Sequence, residues 1–271
     1  MQKGLRVDWK CPRSVRGVTL DTPRTLYKSL YSPSLSKVTP RAESVYYSKM
    51  ERTFEFEPEH FYHIYNRGVE KRNIFLDDND RQRFQDLLYL ANGDKPIVFK
   101  RVRGVTLDRD RGDVQTSLLA YSLMSNHFHM IARENERRTL SSFMAKLSTA
   151  YAMYFNKKND RSGTLLCRPF RAKYIGNDDY FRWVMSYVHL NPLDLIEPGW
   201  KEKGVADKQK AIGFLKSYKY SSYLDYFGPE RPEGKIIQRN ALPIDITQLE
   251  SFETMLKEFS DPFERPDLEI W

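Results

Sequence analysis

The sequence predicts an α+β fold, an antiparallel sheet packed with helices. Three observations carry that reading. Segments of strand and helix character alternate in the order β-α-β-β-α-β-α along residues 54–192. Only Ser125 and Asn126 separate the second strand from the third, and so short a link makes that pair antiparallel. Pro169 interrupts the fourth strand candidate, which suits a sheet edge or a bulge. A doubly wound parallel sheet fits these signals less well.

The core begins near Phe54. Phe61–Tyr65 is aromatic and β-branched, and Asn66–Gly68 breaks it, so it reads as a strand with a turn. From Asp80 to Ala91, Phe84, Leu87, Leu88 and Ala91 recur at helical spacing. Ile97–Phe99 is a short strand candidate and Leu118–Met124 a stronger one. After the Ser125–Asn126 turn, His127–Ala132 reads as a further strand. A long helix follows, with Thr139 as its expected cap and an apolar stripe through Leu140, Phe143, Met144, Leu147, Ala150, Tyr151, Tyr154 and Phe155. Leu165–Ile175 is a basic strand. Asn177 is placed to cap the last helix, Asp178 and Asp179 suit its positive end, and Pro192 stops it.

The 271 residues are 40% apolar and 14% aromatic, enough for a sizeable globular core. No apolar run reaches the ~20 residues of a membrane helix. The first residues lack the pattern of a signal peptide, so the expected location is cytoplasmic. Cys11 and Cys167 form no C-x-x-C pair, which argues against a thiolate zinc site, and a reducing compartment argues against a disulfide between them. The net charge of +8 suits a polyanionic partner. Residues 1–50 hold ten Lys/Arg against three Asp/Glu, a net of +7 that leaves +1 for the rest. A nucleic-acid site in the folded part must therefore be a local patch. The candidate is Lys157, Lys158, Arg161, Arg168, Arg171 and Lys173, with Asp160 the one acid among residues 157–173; a solvated basic loop is the plainer reading.

Residues 1–53 are rich in Ser, Pro, Lys and Arg without sustained periodicity, and are expected to be a weakly ordered extension. The heptapeptide VRGVTLD occurs at Val15–Asp21 and again at Val102–Asp108, with Arg24 and Arg111 three residues after each copy. Two copies make no solenoid. An in-frame insertion of a short DNA repeat and a duplicated loop both explain them. Either origin predicts a surface loop at 102–116. Residues 229–271 are expected to be a tail with a short helix.

His127 and His129 stand two apart on a strand, so both imidazoles share one face and suit one divalent ion, while Phe128 faces the other way. A pair of surface or core histidines gives the same pattern. Tyr187 and Asn191 stand four apart and share a helix face if the helix reaches Asn191. The position before Pro192 disfavours helical geometry, which works against that. A tyrosine can hold a cut DNA strand as a covalent ester, but a free phenol has a pKa of about 10 and needs help from a cation. Tyr187 also reads as one of 17 tyrosines packed on an amphipathic helix. Tyr151 and Tyr154 are rival nucleophiles whose spacing fits a core stripe. His63 and His189 read as structural or supporting residues, and His60 has no assigned role.

Taken together, these segments resemble the REP-associated tyrosine transposases of the single-tyrosine HUH class. The resemblance rests on Leu119–His129 (LAYSLMSNHFH), Tyr62–Gly68 (YHIYNRG), Tyr151–Asn156 (YAMYFN), Arg161–Thr164 (RSGT) and Tyr187–Pro192 (YVHLNP). Tyr220–Tyr223 with Gly228 continues it, so it spans roughly residues 58–228 in order. Ser125 stands where proline is common, the 102–116 insert is unusual, and residues 1–50 and 229–271 have no clear counterpart.

The resemblance implies a ferredoxin-like sheet with the histidine pair on a central strand, in an HUH transposase-like catalytic domain at 54–228. It implies Tyr187 as nucleophile, and Mg²⁺ or Mn²⁺ on His127, His129 and Asn191. It implies transesterification on single-stranded or hairpin DNA from palindromic repeats, through a 5′-phosphotyrosine, by a monomer or homodimer without a membrane partner. No ATP is needed, and no phosphate-binding loop of the G-x-x-x-x-G-K-[ST] type occurs. Arg67, Arg168, Arg171 and Lys173 are the expected DNA contacts. Two rivals stand beside it: a domesticated, non-enzymatic binder of hairpin DNA or RNA on the same fold, and a histidine-metal hydrolase of small nucleotides.

Overall fold

Alternation along one strand organises the domain. In His127–Glu134 (β3), Phe128, Met130 and Ala132 enter one apolar layer and Ile131 enters another. The sheet thus has two buried faces. The computed structural model describes residues 55–97, 106–249 and 251–260, all within the unit Phe54–Trp271. The expected extension 1–53 lies outside the described residues, as do Val98 and Phe99 of the Ile97–Phe99 strand candidate; Ile97 itself is not in a strand.

The element order is β1 (Phe61–Arg67), α1 (Asp78–Ala91), β2 (Thr116–Leu123), β3, α2 (Thr139–Lys158), β4 (Arg171–Ile175) and α3 (Asp178–Leu190). The four strands lie in the order β2-β3-β1-β4, every neighbouring pair antiparallel. This is the expected α+β, ferredoxin-like sheet. The shorter helices α4 (Trp200–Lys203), α5 (Lys208–Ser217), α6 (Tyr223–Phe227) and α7 (Phe252–Ser260) follow. No helix among the described residues is long and apolar enough to cross a membrane.

One face buries Tyr62, Ile64, Leu118, Leu123, Phe128 and Met130 against α1 and α2. The other packs Leu119, Ala120 and Ile131 against α3 and α7. A bulge between Leu118 and Ala120 shifts the β2 register, so the sequence neighbours Leu119 and Ala120 enter the same layer. Gly68 ends β1 where a Cβ would stand 2.2 Å from the Arg72 carbonyl oxygen, so a larger residue does not fit. Beyond it, the backbone of Ile74 and Phe75 donates to Ser125 O at 2.9 and 3.1 Å, which fastens the β2–β3 turn.

Three expectations are corrected. Thr139 does not cap α2. Its hydroxyl donates to Glu136 O at 2.8 Å, while buried Glu134 accepts from Leu140 N at 2.8 Å. β3 runs to Glu134 and delivers a carboxylate beneath the positive helix end. Residues 102–105 of the insert lie outside the described residues, and 106–116 are not simply a surface loop. Leu107, from the second heptapeptide, is buried with α1, the Tyr89 hydroxyl donates to Arg109 O at 3.0 Å, and Thr116 already belongs to β2. An apolar leucine beside an open core edge gains by burial. Finally, the described residues after Gly228 pack on the domain. Gln238 N donates to Leu118 O and Gln238 Oε1 accepts from Leu118 N, which satisfies the free edge of β2. The Asn177 cap is as expected, accepting from Tyr180 N at 2.8 Å.

Glu134→Ala should lower stability by about 1–2 kcal/mol in urea unfolding through the lost cap, and Thr139→Ala by less than about 0.5 kcal/mol. Equal losses would return the cap to Thr139.

Candidate active site

Odd-numbered residues of β1 and β3 point toward α3. They bring His63, Tyr65, His127 and His129 to one surface. Arg171 and Lys173 join them, because they stand directly opposite Tyr65 and His63 in the β1–β4 register. Arg67 stands opposite His127 at the end of β1. Arg168 is exposed on the segment before β4.

α3 lays Tyr187 over this surface. The Tyr187 and His129 rings meet edge-on, with centroids 5.1 Å apart and planes at 87°; His63 meets the same ring at 5.8 Å. Trp183, one turn back, stacks on Tyr187 at 5.5 Å, and Phe259 of α7 stacks at 6.2 Å. Trp183 Nε1 donates to Phe259 O at 3.1 Å, which ties α7 to α3. Tyr187 is consequently only 2% exposed. Pro192 does not turn Asn191 away. Asn191 keeps helical angles (φ −51°, ψ −38°) and its amide donates to Tyr187 O, so the two side chains remain on one face. Proline ends the α-helix one residue later by continuing it as a 3-10 turn, Asn191–Leu195.

The imidazoles are held through their Nδ1 atoms. His129 Nδ1 lies 3.0 Å from His63 Nε2, and His127 Nδ1 lies 2.6 Å from Asn126 Oδ1. His129 Nε2 is buried without a hydrogen-bond partner among the described residues, and the Asn191 side chain is buried with the Tyr187 phenol as its neighbour. Burial lowers the pKa of His127 and of His63 to about 3, and that of His129 well below its ordinary value. All three are neutral at pH 7, as metal ligation requires. Burial also pushes the Tyr187 phenol well up, and the Asp194 carboxylate adds to this; the neighbouring Asn191 carboxamide acts the other way.

Among the described residues no group of three or more His, Cys, Asp or Glu side chains is arranged to hold an ion. An ion here would rest on two imidazoles and one carboxamide. The unpartnered His129 Nε2 fits that role, since buried polar atoms ordinarily find partners, and the buried Asn191 carboxamide lies on the Tyr187 face of the helix.

Tyr151 and Tyr154 are elsewhere. Tyr151 donates to Ile74 O at 2.5 Å and Tyr154 to Asp80 at 3.1 Å, in the layer on the opposite sheet face. His189 Nε2 lies 2.9 Å from Ser222 Oγ. Cys167 is buried, its thiol donating to Gly68 O at 3.8 Å. Two site residues carried no sequence signal. Lys201 of α4 places its ammonium 5.2 Å over the Tyr187 ring, paired with Asp194 at 2.5 Å, and its charge helps hold both His127 and His129 neutral. Phe259 covers the phenol ring.

Fold and site together define an α+β domain in which a sheet-borne histidine pair faces a helix-borne tyrosine. Residues 106–191 match the family model described as "Transposase IS200 like", and that stretch contains His127, His129, Tyr187 and Asn191. In this part the chain is similar to the IS200-like transposases, in keeping with the resemblance to REP-associated tyrosine transposases. No curated protein matches. A solved structure described as "Structure of the REP associates tyrosine transposase bound to a REP hairpin" aligns with 64% of this chain and 81% of its own, at 13% identity and a TM-score of 0.41.

Histidines buried neutral bind fewer protons folded than unfolded. Their contribution is therefore complete above pH 6.5 and is lost as the pH falls toward 3. His63 and His189 should each cost on the order of 2 kcal/mol by pH 5. Thermal unfolding between pH 7 and 4.5 should show a falling midpoint, less steep in His189→Gln; a flat profile would contradict the burial.

Proposed function

We propose that this protein is a metal-dependent single-stranded DNA endonuclease and strand-transferase, a transposase acting on hairpin-forming palindromic repeats through a 5′-phosphotyrosine. The observation that carries this is the edge-on meeting of Tyr187 and His129 at 5.1 Å, with Asn191 on the same helix face, inside the segment that matches the transposase family.

In this reading the Tyr187 oxygen attacks the scissile phosphorus and its proton leaves to solvent. A Tyr–O–P bond forms, the P–O3′ bond breaks, and the departing oxygen takes up a proton as a 3′-hydroxyl. A 3′-hydroxyl later attacks the same phosphorus and expels the phenol, so bond energy is conserved and no ATP is consumed. His127, His129 and Asn191 would hold Mg²⁺ or Mn²⁺, which when bound supplies stabilisation of phosphate charge. Lys201 provides a fixed positive charge beside the phenol ring. Arg171 and Lys173 lie on the site face of the edge strand, where they would track phosphates leading to Tyr187; Arg67 and Arg168 would extend that track. The enzyme would act in the cytoplasm as a monomer or homodimer.

The near-complete burial of Tyr187 favours a second reading, a non-enzymatic hairpin binder on the same fold. The two separate on one gel. Wild type incubated with labelled hairpin oligonucleotides and Mn²⁺ should give a covalent protein–DNA band, absent in Tyr187→Phe and with chelator. A band that survives in Tyr187→Phe would move the nucleophile; retarded DNA without any covalent band would leave the binder.

In this reading Phe259, stacked on the Tyr187 ring at 6.2 Å, limits access to the phenol. Phe259→Ala should raise covalent band yield several-fold over wild type, and an unchanged yield would show that α7 does not limit access.

A further inference from the structure

On the reading of the site just given, one buried side chain outside the ligand set decides which nitrogen His129 presents. We propose that His63 is a positioning residue that holds His129 in its Nδ1–H tautomer and thereby aims the Nε2 lone pair at the ion site.

The two imidazoles meet through His63 Nε2 and His129 Nδ1 at 3.0 Å, with ring planes only 20° apart. They are 1% and 2% exposed, so water does not compete for this bond. Two ring nitrogens 3.0 Å apart share a single proton between them, so two arrangements exist. If His63 Nε2 donates, His129 carries its own hydrogen on Nε2. That hydrogen then points into a buried place with no acceptor among the described residues, and His129 cannot ligate. If His129 Nδ1 donates, its Nε2 keeps a lone pair, and the unmatched N–H falls on His63 Nδ1, away from the ligand set.

His127 shows the same device with a different partner. The Asn126 amide nitrogen donates to Lys71 O at 3.3 Å, which turns Asn126 Oδ1 toward His127. A carboxamide oxygen only accepts, so His127 Nδ1 carries the proton and Nε2 is left with its lone pair. With His63 acting on His129 as Asn126 acts on His127, both rings keep an Nε2 lone pair for an ion. A second hydrogen bond that fixes tautomer and orientation is what a ligating histidine requires.

The test compares His63→Gln, whose Oε1 can accept from His129 Nδ1–H, with His63→Leu, which cannot. His63→Asn is a shorter polar control should the leucine variant fail to fold, as judged by thermal unfolding. The first readout is the His129 tautomer, from ¹⁵N–¹H correlation spectra of the imidazoles with Mg²⁺ and after chelation. The second is Mn²⁺ affinity by titration. Wild type and His63→Gln should show Nδ1–H and bind Mn²⁺ within a few-fold of each other. The leucine or asparagine variant should lose the single tautomer and bind about 10–100-fold more weakly. An Nε2–H tautomer in wild type, or equal Mn²⁺ affinity in all variants, would overturn the proposal. If wild type binds no Mn²⁺ while its Nδ1–H tautomer still depends on His63, the positioning role stands and the metal reading of the site falls.

Discussion

The site depends on α3 lying across the histidine-bearing face of the sheet. Strand alternation alone puts His63, His127 and His129 on that face, but it gives them nothing to act on. The helix supplies Tyr187 and, one turn later, Asn191. Its grip on the sheet comes from the apolar layer through Leu119, Ala120, Ile131, Trp183 and Val184. The opposite layer, where Phe128 and Phe84 meet α2, is apolar and fixes β3 from behind. A sheet clamped from both sides holds the imidazoles in one place, as a preformed site requires.

Burial sets the chemical character of this face. It keeps the imidazoles neutral and makes the phenol harder to ionise. The first suits ligation; the second works against attack by Tyr187. A phenol in this surrounding needs positive charge nearby before it becomes a nucleophile. Lys201 is such a charge, although Asp194 partly cancels it. An ion on His127 and His129 would be another. Trp183 and Phe259, stacked on the Tyr187 ring, contribute to its burial.

Much of the fold was legible because it rests on local rules. Period-2 alternation placed His127 and His129 together, the two-residue turn fixed an antiparallel pair, and Asn177 capped its helix. What stayed hidden depends on register or on distant segments. The His63–His129 bond needs β1 paired to β3 with the two rings on a diagonal, which no single-strand pattern reveals. Lys201, Asp194 and Phe259 reach Tyr187 only after the chain has turned at Pro192 and returned through α7. Glu134 outcompeted Thr139 as a cap because it arrives from a strand, whereas sequence rules look for caps beside the helix. Leu107 was set aside with its inserted heptapeptide, yet a leucine buries wherever an apolar edge is open.

The central claim is that the two imidazoles and Asn191 converge on one point next to the Tyr187 phenol. Anomalous scattering from crystals grown with Mn²⁺ examines that point directly. A single strong peak in contact with Nε2 of His127, Nε2 of His129 and the Asn191 carboxamide, with the phenol adjacent, is the expected result. A map with Mn²⁺ bound elsewhere on the protein and none between these side chains would contradict it.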